Sequence, residues 1–374
     1  MFHHSRFSSP PTETSISTHS LPVFSDEPKL ITVSATAGTS ESKASGAATA
    51  SLLETAEPRA VAEALERLAW LSPPESSANS PSKEISARNL DCTRIFSLRS
   101  PVEKCAEAPL EVTFELDTHA AVLVPRGLVY STPPTPWRPN DTTGLAAAPD
   151  VASAVTAGLL EVVERAAFTR SLLSDDWGCR RDTSALGAMK PTLDRYRLEP
   201  ILVELPTVLA NVSTCLLSLV DSSGVGPCFT CGLAARPSFA EAASHALEEA
   251  IQIRTWIRRT AAVDQNHSSQ LDQTFRRAAY WSLPDTGGIV ANTLRRLNLA
   301  TPPPEVSSPS FDLNQAIGEL RDLEATPLVA PLRVYTAFDL EIYVVRVIVP
   351  ELEPLLHSPE SFPHDVEVRD HFFI

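Results

Sequence analysis

One spacing recurs three times along the chain and constrains its fold more than any other feature. In each copy a Gly within a run of small residues precedes an acidic residue by 17 positions. The three pairs are Gly46 with Glu63, Gly144 with Glu161, and Gly232 with Glu249. The second and third copies are clean, whereas Pro58 lies inside the first spacer, where it would start or break a helix. Repetition at a fixed spacing is typical of a fold built from equivalent units.

Each copy predicts a pair of acidic or amide groups on one helix, preceded by a turn of small residues. Residues three apart share a helix face, and the small turn lets backbone segments pack closely. The pairs are Glu63 with Glu66, Glu161 with Glu164, and Glu249 with Gln252, with Glu248 as an alternative to Glu249. Three such helices aimed at one centre would place mutually repelling carboxylates together, and Mg²⁺ binds such oxygens while it keeps waters and phosphates. Solvated helix faces also carry this pattern commonly, so a surface role for the acids stays open.

Arginines accompany two of the acidic pairs. Arg67 follows the first pair and Arg165 follows the second. A guanidinium at this position either balances the carboxylate charge or reaches a phosphate.

The composition excludes several classes of protein. A net charge of −15 argues against a nucleic-acid binder, which needs a basic face. The chain has no run of about 18 apolar residues and no apolar stretch near its start, so we expect neither a membrane span nor a secretory signal. Six cysteines in 374 residues do not suggest a disulfide framework. The sequence therefore predicts a reduced, cytoplasmic protein.

The organisation along the chain predicts one domain preceded by an arm. Residues 1–28 are rich in Ser, Thr and Pro and are expected to form a disordered arm, with the domain over 29–374. Pro-rich loops are expected near 71–86, 131–141 and 301–310. Strand-like runs cover 120–130 and 333–349. Helices are predicted over 148–171 and 238–259. Asp150 is a start signal for the first helix, and Ser238 with Glu241 fits a capping box at the start of the second. Long helices alternating with strands predict an α/β or α+β fold.

The pair Cys228-x-x-Cys231 has three interpretations. A structural zinc site wants four ligands, and no second pair of this kind follows. A redox role would want the motif at the start of a helix, whereas here it precedes Gly232. We favour buried structural thiols and leave the metal and redox interpretations open.

At these segments the sequence resembles the YcaO family. The resemblance rests on residues 158–168 (GLLEVVERAAF), 230–235 (TCGLAA) with 246–254 (ALEEAIQIR), and 343–350 (YVVRVIVP), and covers roughly residues 45–355. It implies repeated strand-turn-helix units around a carboxylate-lined nucleotide site with no Walker loop, and ATP with Mg²⁺ as cofactors. It also implies phosphorylation of a backbone amide oxygen of a ribosomally made peptide, as in bacteriocin-like maturation. The product would be a thiazoline or oxazoline, or a thioamide.

The resemblance implies site residues at the positions where this sequence matches a family motif. Glu161 and Glu164 match the family's central acidic pair, Glu249 with Gln252 its later pair, and Glu63 with Glu66 its earlier one. The expected Mg-ATP contacts are Glu63, Glu66, Glu161, Glu164, Arg165, Glu248, Glu249, Gln252 and Arg346. The expected metal ligands are Glu66, Glu161 and Glu164, and Arg346 is a phosphate contact by position alone. No residue is indicated that would act on the peptide itself.

Departures from the family pattern motivate a second hypothesis. Ala148 stands where the family usually has Gly, Ser153 stands where it usually has an acid, and residues 370–374 are not the Pro-rich end of many azoline-forming members. The alternative is a catalytically weak scaffold that binds peptide or a partner enzyme. In either case we expect a precursor peptide and a ThiF-like or TfuA-like partner protein, because no separate leader-binding domain is evident. A homodimer is left open.

Overall fold

The computed structural model describes residues 7, 14–74, 87–95, 108–132, 141–263, 278–300 and 310–355. Most of the predicted Pro-rich loops, at 75–86, 133–140 and 301–309, lie outside the described residues, as does the chain end at 356–374. Within the described residues no helix combines the length and the apolar character that a membrane crossing requires.

The strands of the described residues form three sheets. The first contains β1 (Ser15–Leu21), β2 (Ile31–Gly38) and β3 (Lys43–Ala50) in that order. The second has the order β4-β6-β5-β12-β13-β7, with β4 (Ala87–Asn89), β5 (Leu110–Glu115), β6 (Ala121–Pro125), β7 (Leu145–Ala148), β12 (Leu328–Ala337) and β13 (Leu340–Ile348). The third has the order β11-β10-β9-β8, with β8 (Cys179–Arg181), β9 (Leu198–Leu205), β10 (Ser213–Asp221) and β11 (Phe229–Arg236). Only β4 and β6 pair in parallel among these neighbours.

The helices complete the α+β fold that the sequence predicts. They are α1 (Leu53–Leu71), α2 (Val151–Ser174), α3 (Met189–Arg195), α4 (Phe239–Val263), α5 (Pro284–Arg295) and α6 (Leu313–Asp322). Asp150 is the N-cap of α2 and accepts a hydrogen bond from Ser153 N–H at 2.8 Å, which confirms the predicted start signal. Ser238 accepts from Glu241 N–H before α4, which confirms its half of the predicted capping box.

The repeated spacing corresponds to three strand–helix units. Each unit consists of the edge strand of one sheet and the long helix that follows it: β3–α1, β7–α2 and β11–α4. Each helix packs on its own strand and also on the strand of another unit, since α1 contacts β7, α2 contacts β11 and α4 contacts β3. The units therefore close into a ring. The small-residue segments predicted as turns are strands instead, although Gly144 immediately precedes its strand.

Steric contact explains why two of the units need Gly at the same position. A Cβ on Gly46 would lie 2.5 Å from both Ala60 O and Ala64 N, on the helix behind it. A Cβ on Gly232 would meet the corresponding atoms of α4, at 2.1 Å from Ala246 O and 2.7 Å from Ala250 N. Strand and helix therefore approach at backbone distance in both units.

The predicted disordered arm is wrong for residues 15–21. This segment is strand β1 and pairs with β2 along its length, from Ser15 opposite Gly38 to Leu21 opposite Thr32. Farther along, Glu27 is only 3% exposed and pairs with Arg254 at 2.8 Å. A polar composition permits an edge strand, because such a strand exposes most of its side chains and gains its stability from the ladder of hydrogen bonds.

Other boundaries also differ from the sequence prediction. The run 333–349 forms parts of two strands, β12 and β13, because Phe338 and Asp339 turn the chain with φ of +52° and +59°. The run 120–130 contributes β6 and then one 3₁₀ turn at Arg126–Leu128. Helix α1 runs through Pro58, where a helix start or break was expected. Its packing on β2, β3 and β7 compensates for the hydrogen bond that Pro cannot donate.

Candidate functional site

A cleft of about 750 Å³ opens where the three units meet. Side chains of all three long helices line it, together with residues of β7 and β11. We call it the carboxylate cleft and define it by its charged and titratable lining residues, Glu63, Glu66, Arg67, Glu161, Glu164, Arg165, Arg236, His245 and Glu249. The structure thus brings together seven of these residues that the sequence analysis singled out, on three separate stretches of chain.

The first acid of each unit binds the strand of its own unit. In every case a backbone N–H at or beside the repeated Gly donates to the carboxylate. The three hydrogen bonds join Ala47 N to Glu63 Oε2 (2.6 Å), Gly144 N to Glu161 Oε2 (2.7 Å) and Leu233 N to Glu249 Oε2 (2.6 Å). The constant spacing of 17 residues therefore places a helix carboxylate at the N–H of an edge strand.

The second acid of a pair reaches the strand of the next unit. Glu66 on α1 accepts from Ala147 N–H of β7 at 2.8 Å, and Glu164 on α2 accepts from Ala235 N–H of β11 at 3.1 Å. Gln252 has the equivalent place on α4 and is half-buried, but it is not among the residues that line the carboxylate cleft. The acid pairs thus join the ring of units and line its centre.

Two arginines bind the remaining carboxylate oxygen of the first acid in the first two units. Arg67 pairs with Glu63 and Arg165 with Glu161, both four residues later on the same helix and both at 2.5 Å. Arg165 also donates to Thr143 Oγ1 at 3.1 Å. Both oxygens of each of these carboxylates are therefore engaged, one by a backbone N–H and one by a guanidinium.

Burial and mutual repulsion disfavour the charged form of the cleft acids. Burial raises the pKa of Glu66 well above its usual 4.5, and the nearby carboxylates of Glu161 and Glu63 raise it further. Burial likewise raises the pKa of Glu164, with a further contribution from Glu249. The pKa values of Glu161 and Glu249 are raised by burial as well. Bound cations would relieve this cost, so the donor set fits Mg²⁺.

The cleft does not form a complete metal cage by itself. Within the described ranges, no three His, Cys, Asp or Glu side chains converge as a ligand group. Mg²⁺ usually takes only one or two protein carboxylates and completes its shell with water and phosphate oxygens. The arrangement therefore fits a metal that arrives together with a phosphorylated ligand.

Glu248 and Arg346 lie outside the carboxylate cleft. Glu248 pairs with Arg59 at 2.8 Å and joins α4 to α1, so Glu249 is the cleft acid of the third unit. Arg346 is 6% exposed and donates to the carbonyls of Val129 (3.3 Å) and Asp141 (2.9 Å). The guanidinium of Arg346 thus binds backbone carbonyls outside the cleft, and its expected phosphate contact stays a prediction.

Sequence reasoning did not assign Arg236 to the site. This residue ends β11 and lines the carboxylate cleft, as does His245 on α4, whose pKa burial lowers to about 3. A signal was present, since the small residues of the third copy end in Arg whereas both other copies have Ala at that point. Ser153 also lines the cleft, and its hydroxyl donates to Asp150 at 2.7 Å.

The cysteines of the described residues do not line the carboxylate cleft. Cys228 and Cys231 are free, and burial raises the pKa of the Cys231 thiol. Cys92 is disulfide-bonded, which differs from the expectation of a fully reduced chain. The metal and redox interpretations of the Cys-x-x-Cys pair gain no further support.

Comparisons with known proteins agree with this geometry. The model of the ATP- and Mg²⁺-binding YcaO cyclodehydratase family matches residues 48–353. A search of curated protein sequences finds no match. Among solved structures, YcaO from Methanopyrus kandleri bound with AMPPCP and Mg²⁺ has a TM-score of 0.67 at 18% identity, over 94% of this chain and 89% of that one.

Two further solved structures share the fold. A subunit of the Escherichia coli microcin synthetase McbBCD complex has a TM-score of 0.66 at 11% identity, over 90% of this chain and 88% of that one. A heterocyclase in complex with substrate and cofactor has a TM-score of 0.67 at 14% identity over 91% of this chain, which spans only 50% of that longer protein. At these identities the likeness is one of fold.

Proposed function

The chain belongs to the YcaO family of ATP- and Mg²⁺-binding cyclodehydratases, and we propose that it uses ATP to activate a backbone amide of a ribosomally made peptide. ATP and Mg²⁺ are the cofactors of this family and hence of this chain. The observation that supports the proposal is the ring of acid pairs in the carboxylate cleft. Burial and mutual repulsion disfavour the charged form of these carboxylates, and a bound cation would stabilise it.

The hydrogen bonds support a choice among the acids that would hold the metal. Glu66, Glu164 and Glu249 each give one oxygen to a backbone N–H and have a second oxygen with no hydrogen bond in the described part of the chain. We assign the Mg²⁺ ligands to these second oxygens. Glu161, expected as a ligand from the family pattern, instead has both oxygens engaged and positions Arg165.

The proposed chemistry needs positioning more than it needs a protein nucleophile. An amide oxygen is a poor leaving group, and ATP supplies the phosphoryl group that makes it a good one. The acids would hold the metal that neutralises the phosphate charge, and Arg165, fixed between Glu161 and Thr143, would present its remaining N–H groups to phosphate oxygens. Walls formed by α2 and β7 residues such as Leu145 and Leu160 would limit access of water.

The product is proposed to be an azoline. In that case a Cys, Ser or Thr side chain of the peptide attacks the adjacent amide carbon before its oxygen leaves. The heterocyclase among the structures of similar fold favours this product over a thioamide, which would need external sulfide. One microcin synthetase complex of similar fold has pro-MccB17 bound. We propose a precursor peptide as substrate and a partner protein, ThiF-like or TfuA-like, for this chain.

The alternative is a scaffold with weak or no catalysis. Ser153 is the observation that favours it, because this residue lines the carboxylate cleft where the family usually has an acid. Its hydroxyl donates to Asp150 at 2.7 Å at the start of α2.

Calorimetric titration of Mg-ATP separates these hypotheses. The wild type is compared with the double variant Glu161→Gln/Glu164→Gln and with the control Glu41→Gln/Glu324→Gln, which removes the same charge from exposed sites. Binding by the wild type and control that is lost in the cleft variant would support the proposal. A folded wild type that binds no Mg-ATP, alone or with its partner protein, would favour the scaffold.

A further inference from the structure

The third unit departs from the other two at two corresponding positions. In the first two units an Arg follows the first acid by four residues, and an Ala follows the repeated Gly by four residues. The helix positions are Arg67, Arg165 and Ile253, and the strand positions are Ala50, Ala148 and Arg236. In the third unit the Arg therefore lies at the end of the edge strand and not on the helix.

This exchange changes what the guanidinium binds. Arg67 and Arg165 each form a 2.5 Å salt bridge with the first acid of their own helix. Arg236 donates one hydrogen bond, to the carbonyl of its neighbour Ala235 at 2.7 Å, and forms no ion pair with the described residues. A guanidinium has five N–H donors, so most of those of Arg236 are available to the carboxylate cleft that it lines.

The acids near Arg236 attract it without forming an ion pair with it. Glu164, Glu241 and Glu248 attract the guanidinium and Arg59 repels it, but Glu248 is itself held by Arg59 at 2.8 Å and Glu164 by a backbone N–H. Burial lowers the pKa of Arg236, which reflects the cost of taking this charge out of water. The half-buried guanidinium remains charged and would gain from an anion in the cleft.

We infer that Arg236 binds the phosphate tail of the nucleotide and so fixes the direction in which the nucleotide lies. The inference rests on the proposed function. Three similar acid-bearing units surround the carboxylate cleft, and Arg165, which would also face phosphate oxygens, is already held by Glu161 and Thr143. Arg236 is the cleft-lining arginine of the described residues that lacks a carboxylate partner, and a planar guanidinium suits bidentate binding of phosphate oxygens.

The test compares three nucleotides on four proteins. Mg-AMPPCP, Mg-ADP and AMP are titrated calorimetrically into the wild type, Arg236→Gln, Arg236→Lys and the control Arg296→Gln, which removes the same charge from an exposed site that does not line the cleft. Thermal unfolding without nucleotide establishes that each variant is folded. AMP is also tested at about 10 mM by its effect on the unfolding temperature, so that binding too weak for calorimetry is still detected.

For Arg236→Gln we expect the affinity for Mg-AMPPCP to fall about 10- to 100-fold, with AMP changed by less than about twofold. Arg236→Lys should recover part of the loss, and Arg296→Gln should match the wild type. An unchanged affinity for Mg-AMPPCP in Arg236→Gln, or an equal loss for AMP, would overturn the inference while leaving ATP binding intact. Failure of the wild type to bind Mg-AMPPCP would instead overturn the proposed function and the inference with it.

Discussion

The carboxylate of Glu66 on α1 accepts a hydrogen bond from the backbone N–H of Ala147 on β7, at 2.8 Å. The two residues belong to different units of the ring and lie 81 positions apart. Glu164 repeats the contact one unit farther on, with Ala235. The same carboxylates therefore satisfy the amides of sheet edges and line the cleft that we assign to Mg-ATP, so assembly of the ring and formation of the site depend on the same atoms.

Two substitutions of Glu66 are expected to separate these two roles. Glu66→Gln keeps an oxygen that accepts from Ala147 N–H but removes the charge. It should leave the unfolding temperature at or above that of the wild type near neutral pH, because it removes a charge that burial and the neighbouring carboxylates disfavour. It should also weaken Mg-AMPPCP binding at least about 10-fold. Glu66→Ala leaves the N–H without its acceptor and should also lower the free energy of unfolding by about 1–3 kcal/mol.

Chemical denaturation and calorimetry on both variants test this assignment. If Glu66→Gln and Glu66→Ala lost the same stability, the hydrogen bond to β7 would have no energetic role. If Glu66→Gln bound nucleotide as the wild type does, Glu66 would not be a metal ligand.

Gly232→Ala is expected to destabilise the protein strongly. The added Cβ would lie 2.1 Å from Ala246 O, and backbone on both sides cannot yield without separating β11 from α4. We expect a loss of about 1–3 kcal/mol in the free energy of unfolding, the usual cost of overpacking. Gly288→Ala is the matched control, because a Cβ there meets open space on helix α5 and should stabilise by about 0.5–1 kcal/mol. Equal effects in urea denaturation would refute the close approach.

The cleft acids are expected to give the apo protein a distinctive pH dependence. A carboxyl group with a raised pKa in the folded state stabilises the fold below its unfolded pKa, near 4.5, and this contribution is lost as the pH rises through the folded value. The wild type should therefore lose stability relative to Glu164→Gln/Glu249→Gln between pH 5 and 8, measured by urea denaturation at about six pH values across the range of these shifts.

The comparison with that variant removes a competing contribution. His245 has its pKa lowered to about 3 and so adds stability as the pH rises toward 6.5, but both proteins contain it. Mg-AMPPCP should abolish the difference for the wild type by stabilising the charged acids. A wild type that gained stability relative to the variant as the pH rose would contradict the raised pKa values.

The thiols of Cys215 and Cys231 are expected to be unreactive in the folded protein. Burial raises the pKa of both Cys215 and Cys231, so little thiolate forms near neutral pH. With iodoacetamide at about pH 8 we expect both to react at least about 100-fold more slowly than in urea, followed by peptide mass spectrometry. Rapid labelling of Cys231 in the native protein would revive the redox interpretation of the Cys-x-x-Cys pair.

Local pattern predicted the parts of this fold that depend on local chemistry. The acid pairs, the two long helices with Asp150 and Ser238 at their starts, and the arrangement in repeated units follow from spacing and capping, which the sequence records directly. The identity of the strand that Glu66 contacts does not follow from the sequence pattern, because packing between units brings Ala147 to Glu66. The neighbours of Arg346 could not be predicted for the same reason, because its position in the family motif says nothing about Asp141, which binds it.

Two further differences between the sequence prediction and the structure have physical causes that composition does not reveal. Strand β1 is polar because it lies at a sheet edge, so it looked like a disordered arm. The turn at Phe338 and Asp339 lacks the Asn-Gly pair that usually marks a two-residue hairpin, so two strands looked like one.

The closure of the ring makes the nucleotide site a late product of synthesis. A chain growing from its N-terminus completes β3 and α1 early, but the contact that closes the ring joins Arg59 to Glu248, 189 positions later. Until α4 emerges, the edge of β3 and the acid-bearing face of α1 have no third unit against them, and an open sheet edge invites pairing with other chains. We expect ribosome-bound chains that end before α4 to lack nucleotide affinity altogether rather than to show part of it.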